Sequence, residues 1–456
     1  MKKAVIYPYN VLVTELIRYR ELIEDFEIVA AVSPMGIGDE GVDCASLDNG
    51  EETGLYITHD YAGALDKCDT VIIAEYSFCF FSSVDDFERI VYDKVIEAMK
   101  RGKNIVSMHS FSDYESLYVA AENYNITYRF ISEMQPIKEI YYTQNPDFMS
   151  LHNIDVPIIT IVGLHEETNK FGIQLELRKL FMKSNLKILQ VGSKQYCELL
   201  GFYSFPSAML DNRLSEERKI IYFNHFLYNL VKKEMPDVII IGIPGGLVPI
   251  SMRLHQHFGI LVYEVGCSIQ SDYTILTIPA ISINNLDFNN ISELLASKLG
   301  CTYNCIAMSN NTIDYNDLFS EYKIANYNRY NIETVNEILS HNESCNLIYN
   351  AASTKGKFGI FNEIQSNWPE LFGIKKEISN LIGQDNKERN IREWLSEVIK
   401  EYFGDKELSA LMPYEYLYLH AAILQKYNVG PTKKQIESGC YKTIDNLEMC
   451  IRQLLK

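Results

Sequence analysis

The stretch "IITIVGLHEETNKFGIQLELRKLF", Ile158 to Phe181, decides how the chain is read. Its first residues are β-formers ending at Gly163; then comes Lys170, after which Ile173, Leu177, Leu180 and Phe181 recur at helical spacing. A strand, a glycine-started loop and a helix opening on lysine have the shape of a phosphate-binding loop. Such a loop works because backbone N–H groups and the helix dipole favour an anion at the helix N-terminus, while the lysine reaches the outer phosphates. Two of its usual residues are replaced: the glycine before the lysine is Asn169, and the Ser or Thr after it is Phe171. Asparagine tolerates a left-handed backbone, so the first change is mild. The second removes the hydroxyl that holds Mg²⁺. Glu166 and Glu167 also sit inside the loop, where each opposes a phosphate by on the order of 1 kcal/mol when screened by solvent.

A second stretch, "PDVIIIGIPGGLVPI" from Pro236 to Ile250, reads as a buried strand running into Gly245-Gly246. The Gly163-to-Lys170 interval has the G-x6-K spacing of dethiobiotin synthetase-like P-loop proteins, and this second stretch resembles their nucleotide-site strand with its Gly-Gly-Leu-x-x-Pro turn. The resemblance implies a P-loop NTPase-like domain, ATP or GTP as ligand, and Gly163, His165, Thr168, Asn169, Lys170, Phe171, Gly172, Gly245 and Gly246 as the residues nearest it. In that family an acidic residue at the tip of the second strand also serves the metal; Gly242 stands there in this chain. With both anchors missing, Mg²⁺-assisted hydrolysis is disfavoured, no metal ligand is assigned and no catalytic residue can be named. His165 reads as a surface-turn histidine. Lys194 lies just past a strand, where doubly wound sheets place ligands.

The other candidates weigh less. Arg213, Arg218 and Lys219 could approach an anion, and Asn224 and His225 ride a helix, but these read as solvated or structural. His255-x-His257, on a short helix-like turn, and Cys301-x3-Cys305 lack the further ligands of a metal site. The late "STKGKFG", Ser353 to Gly359, mimics a phosphate loop without the flanking pattern and is taken as coincidence.

Outward from the loop, residues 1–150 alternate strands (Ala4–Tyr7, Glu27–Val32, Leu55–Thr58, Thr70–Ala74, Asn104–Ser107) with helical patterns, which is the logic of a parallel sheet. The first strand turns into its helix through "YPYNVLVTE", without the glycines a pyrophosphate needs, so a Rossmann-like domain lacking a dinucleotide is expected. The pattern restarts near residue 150, with Pro146 and Pro157 as punctuation. Residues 151–345 carry strands at Ile158–Val162, Lys187–Val191, Val238–Ile241, Ile260–Val265 and Thr274–Ile278, and form the degenerate P-loop NTPase-like domain. From 346 to 456 helical patterns such as "REWLSEVIKEYFG" predict a helical C-terminal domain.

Composition sets the outer limits. The chain has 456 residues, 47% of them apolar, enough for packed cores in two to three domains. A net charge of −18 without a long basic cluster disfavours nucleic acid as a partner. No apolar run approaches the roughly 20 residues that span a bilayer. The opening "MKKAVIYPYN" is no secretory segment, and ten scattered cysteines fit reduced thiols, so a cytoplasmic protein with no membrane partner is expected.

The segments "VGLHEETNKFGIQLELRK", "GFYSFPSAM", "IIYFNHF", "PDVIIIGIPGGLVP" and "FGILVYEV" together resemble a family of peptide maturation system proteins, encoded beside radical S-adenosylmethionine maturases in clusters for ribosomally made Cys-rich or bacteriocin-like peptides. That resemblance, over most of residues 1 to 350, implies a precursor peptide and a maturase as partners; composition and spacing do not. Three readings stay open. The chain is an accessory protein holding a nucleotide or anion weakly, an active ATP-dependent ligase of the dethiobiotin synthetase type, or a ligand-free scaffold.

Overall fold

The computed structural model describes residues 1–77, 81, 83–131, 150–251, 254–281, 283, 286–314, 327–341, 348–368, 371–372, 391–404 and most of 408–454. Residues 132–149, which hold Pro146 beside the expected boundary near 150, lie outside this description. The chain forms two units, Met1–Ser366 and Asn367–Lys456.

The first unit begins with β1 (Lys2–Tyr7), α1 (Thr14–Arg18), β2 (Phe26–Val32), β3 (Ile57–Thr58), α2 (Tyr61–Leu65), β4 (Thr70–Ile73), α3 (Val84–Lys100), β5 (Asn104–Ser107), α4 (Tyr114–Asn123) and β6 (Tyr128–Phe130). The strands form one parallel sheet in the order β3-β2-β1-β4-β5-β6. Its strand order reverses between β1 and β4. Instead of glycines, the turn after β1 carries Tyr9, whose buried hydroxyl donates to Cys44 O at 2.7 Å, and Asn10, which caps the next turn through Leu12 N–H.

A second parallel sheet follows. Its elements are β7 (Ile158–Gly163), α5 (Lys170–Lys183), β8 (Ile188–Gly192), β9 (Tyr203–Ser204), α6 (Glu216–Glu234), β10 (Val238–Gly242), α7 (Ile260–Ser268), β11 (Tyr273–Ile278), α8 (Phe288–Leu299) and β12 (Cys305–Met308). After an antiparallel pair, β13 (Asn311–Ile313) with β14 (Tyr327–Arg329), come α9 (Ile332–Ser340), β15 (Ile348–Asn350) and α10 (Thr354–Asn367). The strand order is β15-β12-β11-β7-β10-β8-β9, with β7 at the centre between β11 and β10. Strands buried on both faces read as continuous apolar runs, as Val238-Ile-Ile-Ile241 does.

Two expectations are corrected. Ile260–Val265, read as a strand, is the start of α7. A short apolar run does not distinguish a strand from a buried helix by periodicity, and α7 is apolar on most sides because it packs against both α6 and α8. The sheet also runs past residue 345, since β15 pairs with β12 through Ile306↔Ile348 and α10 packs Phe361 edge-on against Phe181 at 5.4 Å. "STKGKFG" thus does follow a strand and opens a helix, α10, but Lys357 is buried, its Nζ donating to Tyr19 Oη at 3.0 Å.

The two sheets share a core. Ala4, Ile6, Tyr9, Val13, Leu16 and Ile17 from the first pack with Phe171, Leu175, Tyr196, Cys197 and Phe202 from the second. Helix α5 is therefore buried on two sides: Ile173, Leu177 and Phe181 are buried as the helical spacing predicts, and Phe171 and Leu175 join the first sheet's core. The Asn367–Lys456 unit has its own core, in which Trp394, Leu395 and Val398 from α11 (Ile391–Phe403) meet Leu419, Ile423 and, from α12 (Ile444–Leu454), Leu447 and Ile451.

Phe171 sits edge-on to Tyr196 at 5.6 Å and is 6% exposed. Phe171→Ala should therefore destabilise the first unit by about 3–5 kcal/mol in denaturant titration. A second measurement tests burial without packing loss. Glu264 on α7 is fully buried, neither of its oxygens has a hydrogen-bond partner, and its nearest cation is Lys219 on α6 at 3.8 Å. Burial, only partly offset by Lys219, raises its carboxyl to about 7. A raised folded-state pKa favours the folded state below the unfolded carboxyl range, and this contribution is lost as pH rises to about 7. Glu264→Gln should flatten that loss, so the variant gains stability relative to wild type at pH 8 but not at pH 4.

Candidate functional site

The loops that follow β1, β7, β8, β10 and β12 converge on one cavity of about 210 Å³. Val11, Leu12, Glu15 and Asp48 line it from the first sheet's side; residues 166–172, Ser193, Lys194, Gly245, Asn310 and Arg329 line it from the second. Parallel sheets bind ligands beyond the carboxyl ends of their strands, at points where strand order reverses. Here the carboxyl ends of two sheets face the same space.

The loop between β7 and α5 is held open by side chains from the β12 end. Asn311 Nδ2 donates to Glu167 O at 2.7 Å, and Asn169 Nδ2 donates to Asn310 Oδ1 at 2.9 Å. Glu167 and Asn169 are both left-handed, with φ of 54° and 57°, so Asn169 adopts the conformation expected of it. On the other side Glu166 N–H donates to Gln256 Oε1 and Leu247 N–H to Gly163 O, tying the loop to the segment after β10. That segment carries Gln256, His257 and Phe258 in consecutive left-handed conformations, ended by Gly259. The pair His255-x-His257 is therefore not on a regular helical turn.

With the loop pinned from both sides, its amides are left over. The backbone N–H groups of Glu167, Thr168, Asn169, Lys170, Phe171 and Gly172 have no acceptor among the described residues, and all six residues line the cavity. Six successive unpaired N–H groups at a helix start form a positive concavity. Lys170 is 7% exposed; its Nζ donates to Gly245 O at 2.7 Å and to His165 O at 3.4 Å, with no carboxylate within 4.0 Å among the described residues. Burial lowers its pKa to about 8 against the opposing pull of Glu166 and Glu167. Gly163 makes this possible, because a Cβ there would lie 2.6 Å from Lys170 Nζ and 2.3 Å from His165 O.

The remaining expected residues divide. Thr168 turns its hydroxyl away to His165 O and Thr277 Oγ1. Gly246 is where the β10 segment crosses the loop, since a Cβ would lie 2.9 Å from His165 Cα; Gly245 is left-handed. His165 is half-buried rather than a surface histidine. Burial, with Lys170 adding to it, lowers its pKa to about 4, and its Nδ1 has no partner. Lys194 lines the cavity, whereas Arg213, paired with Asp211, and Lys219, near Glu264, serve other places. Asn224 donates to Ser268 O and His152 O, a structural role.

The two positions that hold Mg²⁺ in P-loop enzymes do not fit a metal here. Phe171 is committed to the core between the sheets, and the space beside Gly242 is filled by Gln174, whose Nε2 would lie 1.6 Å from a Cβ. Sequence reading missed Glu15 and Asp48, which reach the cavity from the other sheet; no spacing signal connects them to the loop.

No protein-family model matches the chain, and no curated protein does. Among solved structures it is similar to a DUF1611 family protein from Anabaena variabilis, at 13% identity over 68% of this chain and 88% of that one, with a TM-score of 0.46. It is also similar to a LAO/AO transport system kinase (11% identity, 64% and 86% covered, TM-score 0.27) and to the signal recognition particle 54 kDa protein from Aeropyrum pernix in complex with GDP (12% identity, 82% of each chain, TM-score 0.25). At this distance the chemistry of the cavity is set by its own residues.

Gln174 is fully buried with both amide atoms unpartnered. Gly242→Ala should lower the denaturation midpoint sharply through collision with it, while Gly242→Ala combined with Gln174→Ala should recover most of the loss. A double-mutant cycle reads the coupling directly.

Proposed function

We infer that the loop from Gly163 to Lys170 binds a phosphate group of a nucleotide or related anion without the usual metal anchors, and that turnover is slow or absent. The observation that carries this reading is the run of six unpaired amides from Glu167 to Gly172 around a cavity that also contains the Lys170 ammonium. Among the described residues the lysine is held by carbonyl oxygens alone, which an anion can displace; a buried ion pair with an acid would have neutralised it. Lys194 adds a second cation. Burial works against its charge, but Glu167 and Glu75 outweigh this and raise its pKa.

The wider role we assign is that of an accessory protein in the maturation of a ribosomally made peptide, acting with a precursor peptide and a radical S-adenosylmethionine maturase. Its support is the sequence resemblance alone. The ligase reading needs Mg²⁺ held by other groups, because the side chains present at Phe171 and Gly242 leave it no place.

Thermal unfolding with ATP, GTP and inorganic phosphate, each with and without Mg²⁺, tests the binding step. At a hundredfold excess over Kd a ligand should stabilise the protein by about 2.7 kcal/mol. The shift should be nearly independent of Mg²⁺, vanish in Lys170→Ala, and weaken as pH rises above 8 and Lys170 loses its proton. A flat response to all three ligands, or robust Mg²⁺-dependent ATP turnover, would overturn the reading.

A further inference from the structure

We propose that Arg329, carried by β14, grips a second anionic group of the ligand whose phosphate the loop holds, so that the cavity selects a phosphate compound bearing a further carboxylate or phosphate over a simple monophosphate. This rests on the phosphate reading above and adds the class of ligand to it.

Arg329 is fixed at its backbone and free at its head. In the β13–β14 pair it stands opposite Asn311; Asn49 Nδ2 donates to its carbonyl at 2.7 Å, and the N–H of the next residue, Tyr330, donates to Asn310 O at 2.9 Å. Asn310 and Asn311 are the residues that hold the phosphate loop, so the hairpin that fixes the loop also delivers the arginine beside it. The other polar side chains there are engaged: Asn310 Nδ2 donates to Asp48 O and Tyr330 O, and Tyr327 Oη accepts from Gln256 Nε2. The Arg329 guanidinium, on a half-buried residue that lines the cavity, has no hydrogen bond and no carboxylate within 4.0 Å among the described residues. A guanidinium presents a planar fork of donors that matches a carboxylate or phosphate with two parallel hydrogen bonds.

Glu15, Asp48, Glu166 and Glu167 line the same cavity, yet each answers to another cation. Arg18 lies 3.1 Å from Glu15 and grips Asp48 through both oxygens, at 2.9 and 2.8 Å. Glu166 and Glu167 act on Lys170 and Lys194, opposing the effect of burial on both. Arg329 is the cation left over. It reaches toward the loop, because the Tyr327 hydroxyl feels Glu166 and Glu167 and, against them, Arg329. The strand order also sets it apart from the lysines: Lys194 follows β8, on the β10 side of β7, whereas β13 follows β12, on the β11 side. A phosphate on the amides and Lys170 thus leaves Arg329 to meet what the ligand carries toward β12. The cavity, at about 210 Å³, is below the ~300–1,000 Å³ that encloses drug-sized ligands, so it fits a phosphate with one more small anionic group rather than a whole nucleotide.

Calorimetric titration with methyl phosphate, phosphoglycolate and inorganic pyrophosphate tests this. In the wild type at least one of the two doubly anionic probes should bind at least tenfold more tightly than methyl phosphate; this comparison needs no variant. A preference for phosphoglycolate alone identifies the second group as a carboxylate, and a preference for pyrophosphate alone as a phosphate. Arg329→Ala should remove the preference, and Arg329→Lys, which keeps the charge but not the fork, should retain only part of it. The ratio is the readout, because losing any positive charge weakens the binding of every anion. Lys194→Ala, on the other flank of the loop, should therefore lower all three affinities and leave the ratio standing. Equal affinity for the three probes in the wild type, a preference unchanged in Arg329→Ala, or one lost equally in Lys194→Ala overturns the proposal. Methyl phosphate binding that is present in the wild type and lost in Lys170→Ala leaves the loop reading standing even then. If Lys170→Ala binds as the wild type does while the preference follows Arg329, the loop reading falls and the assignment of Arg329 stands.

Discussion

The ring of Phe171 joins the two parallel sheets beside the site. It occupies the position after the loop lysine, and it is buried among Tyr196, Phe202 and residues from the neighbouring sheet. One residue thus links two facts that would otherwise need separate causes: the position offers no hydroxyl to a metal, and the two sheets are joined at the start of α5. A hydroxyl in that place would leave a hole in the shared core; an aromatic ring leaves no ligand for a cation. Packing and metal binding compete for the same position, and packing has it.

Around that joint the charges are arranged to be nearly self-sufficient. Arg18 ties Glu15 to Asp48, Lys357 reaches Tyr19, and Lys170 leans on backbone carbonyls. Against that background, unpartnered polar groups gather at the cavity and beside it: six loop amides, one oxygen of Glu15 and Nδ1 of His165. Buried polar groups are normally paired, and it is on this set that the proposed anion binding rests.

Much of this could be read from the sequence where the determinant is local. Gly163, Lys170 and the helical spacing behind them specify strand, loop and helix, and Asn169 accepts a left-handed backbone by its own chemistry. Apolar runs located most strands but misassigned Ile260–Val265, because a helix covered on several sides loses its polar face and with it the periodicity that marks it. The motif Ser353–Gly359 failed in the opposite sense: its strand, Ile348–Asn350, is too short to register as a pattern. Glu15 and Gln174 were invisible for a different reason. What each one does is set by a glycine it meets in space, Gly172 for one and Gly242 for the other, and no rule of spacing connects the members of either pair.

The carbonyl contacts of Lys170 set the terms on which anything can enter. On the proposed binding an anion does not meet a bare cation; it takes the ammonium from the oxygens of Gly245 and His165, so association is an exchange and only the difference between two sets of contacts is gained. The turn that carries Gly245 leads on to Gln256, which holds the loop from outside. With an anion bound as proposed, only the Lys170 contact to Gly245 O is given up there, while Leu247 N–H to Gly163 O and Glu166 N–H to Gln256 Oε1 still tie that segment to the loop.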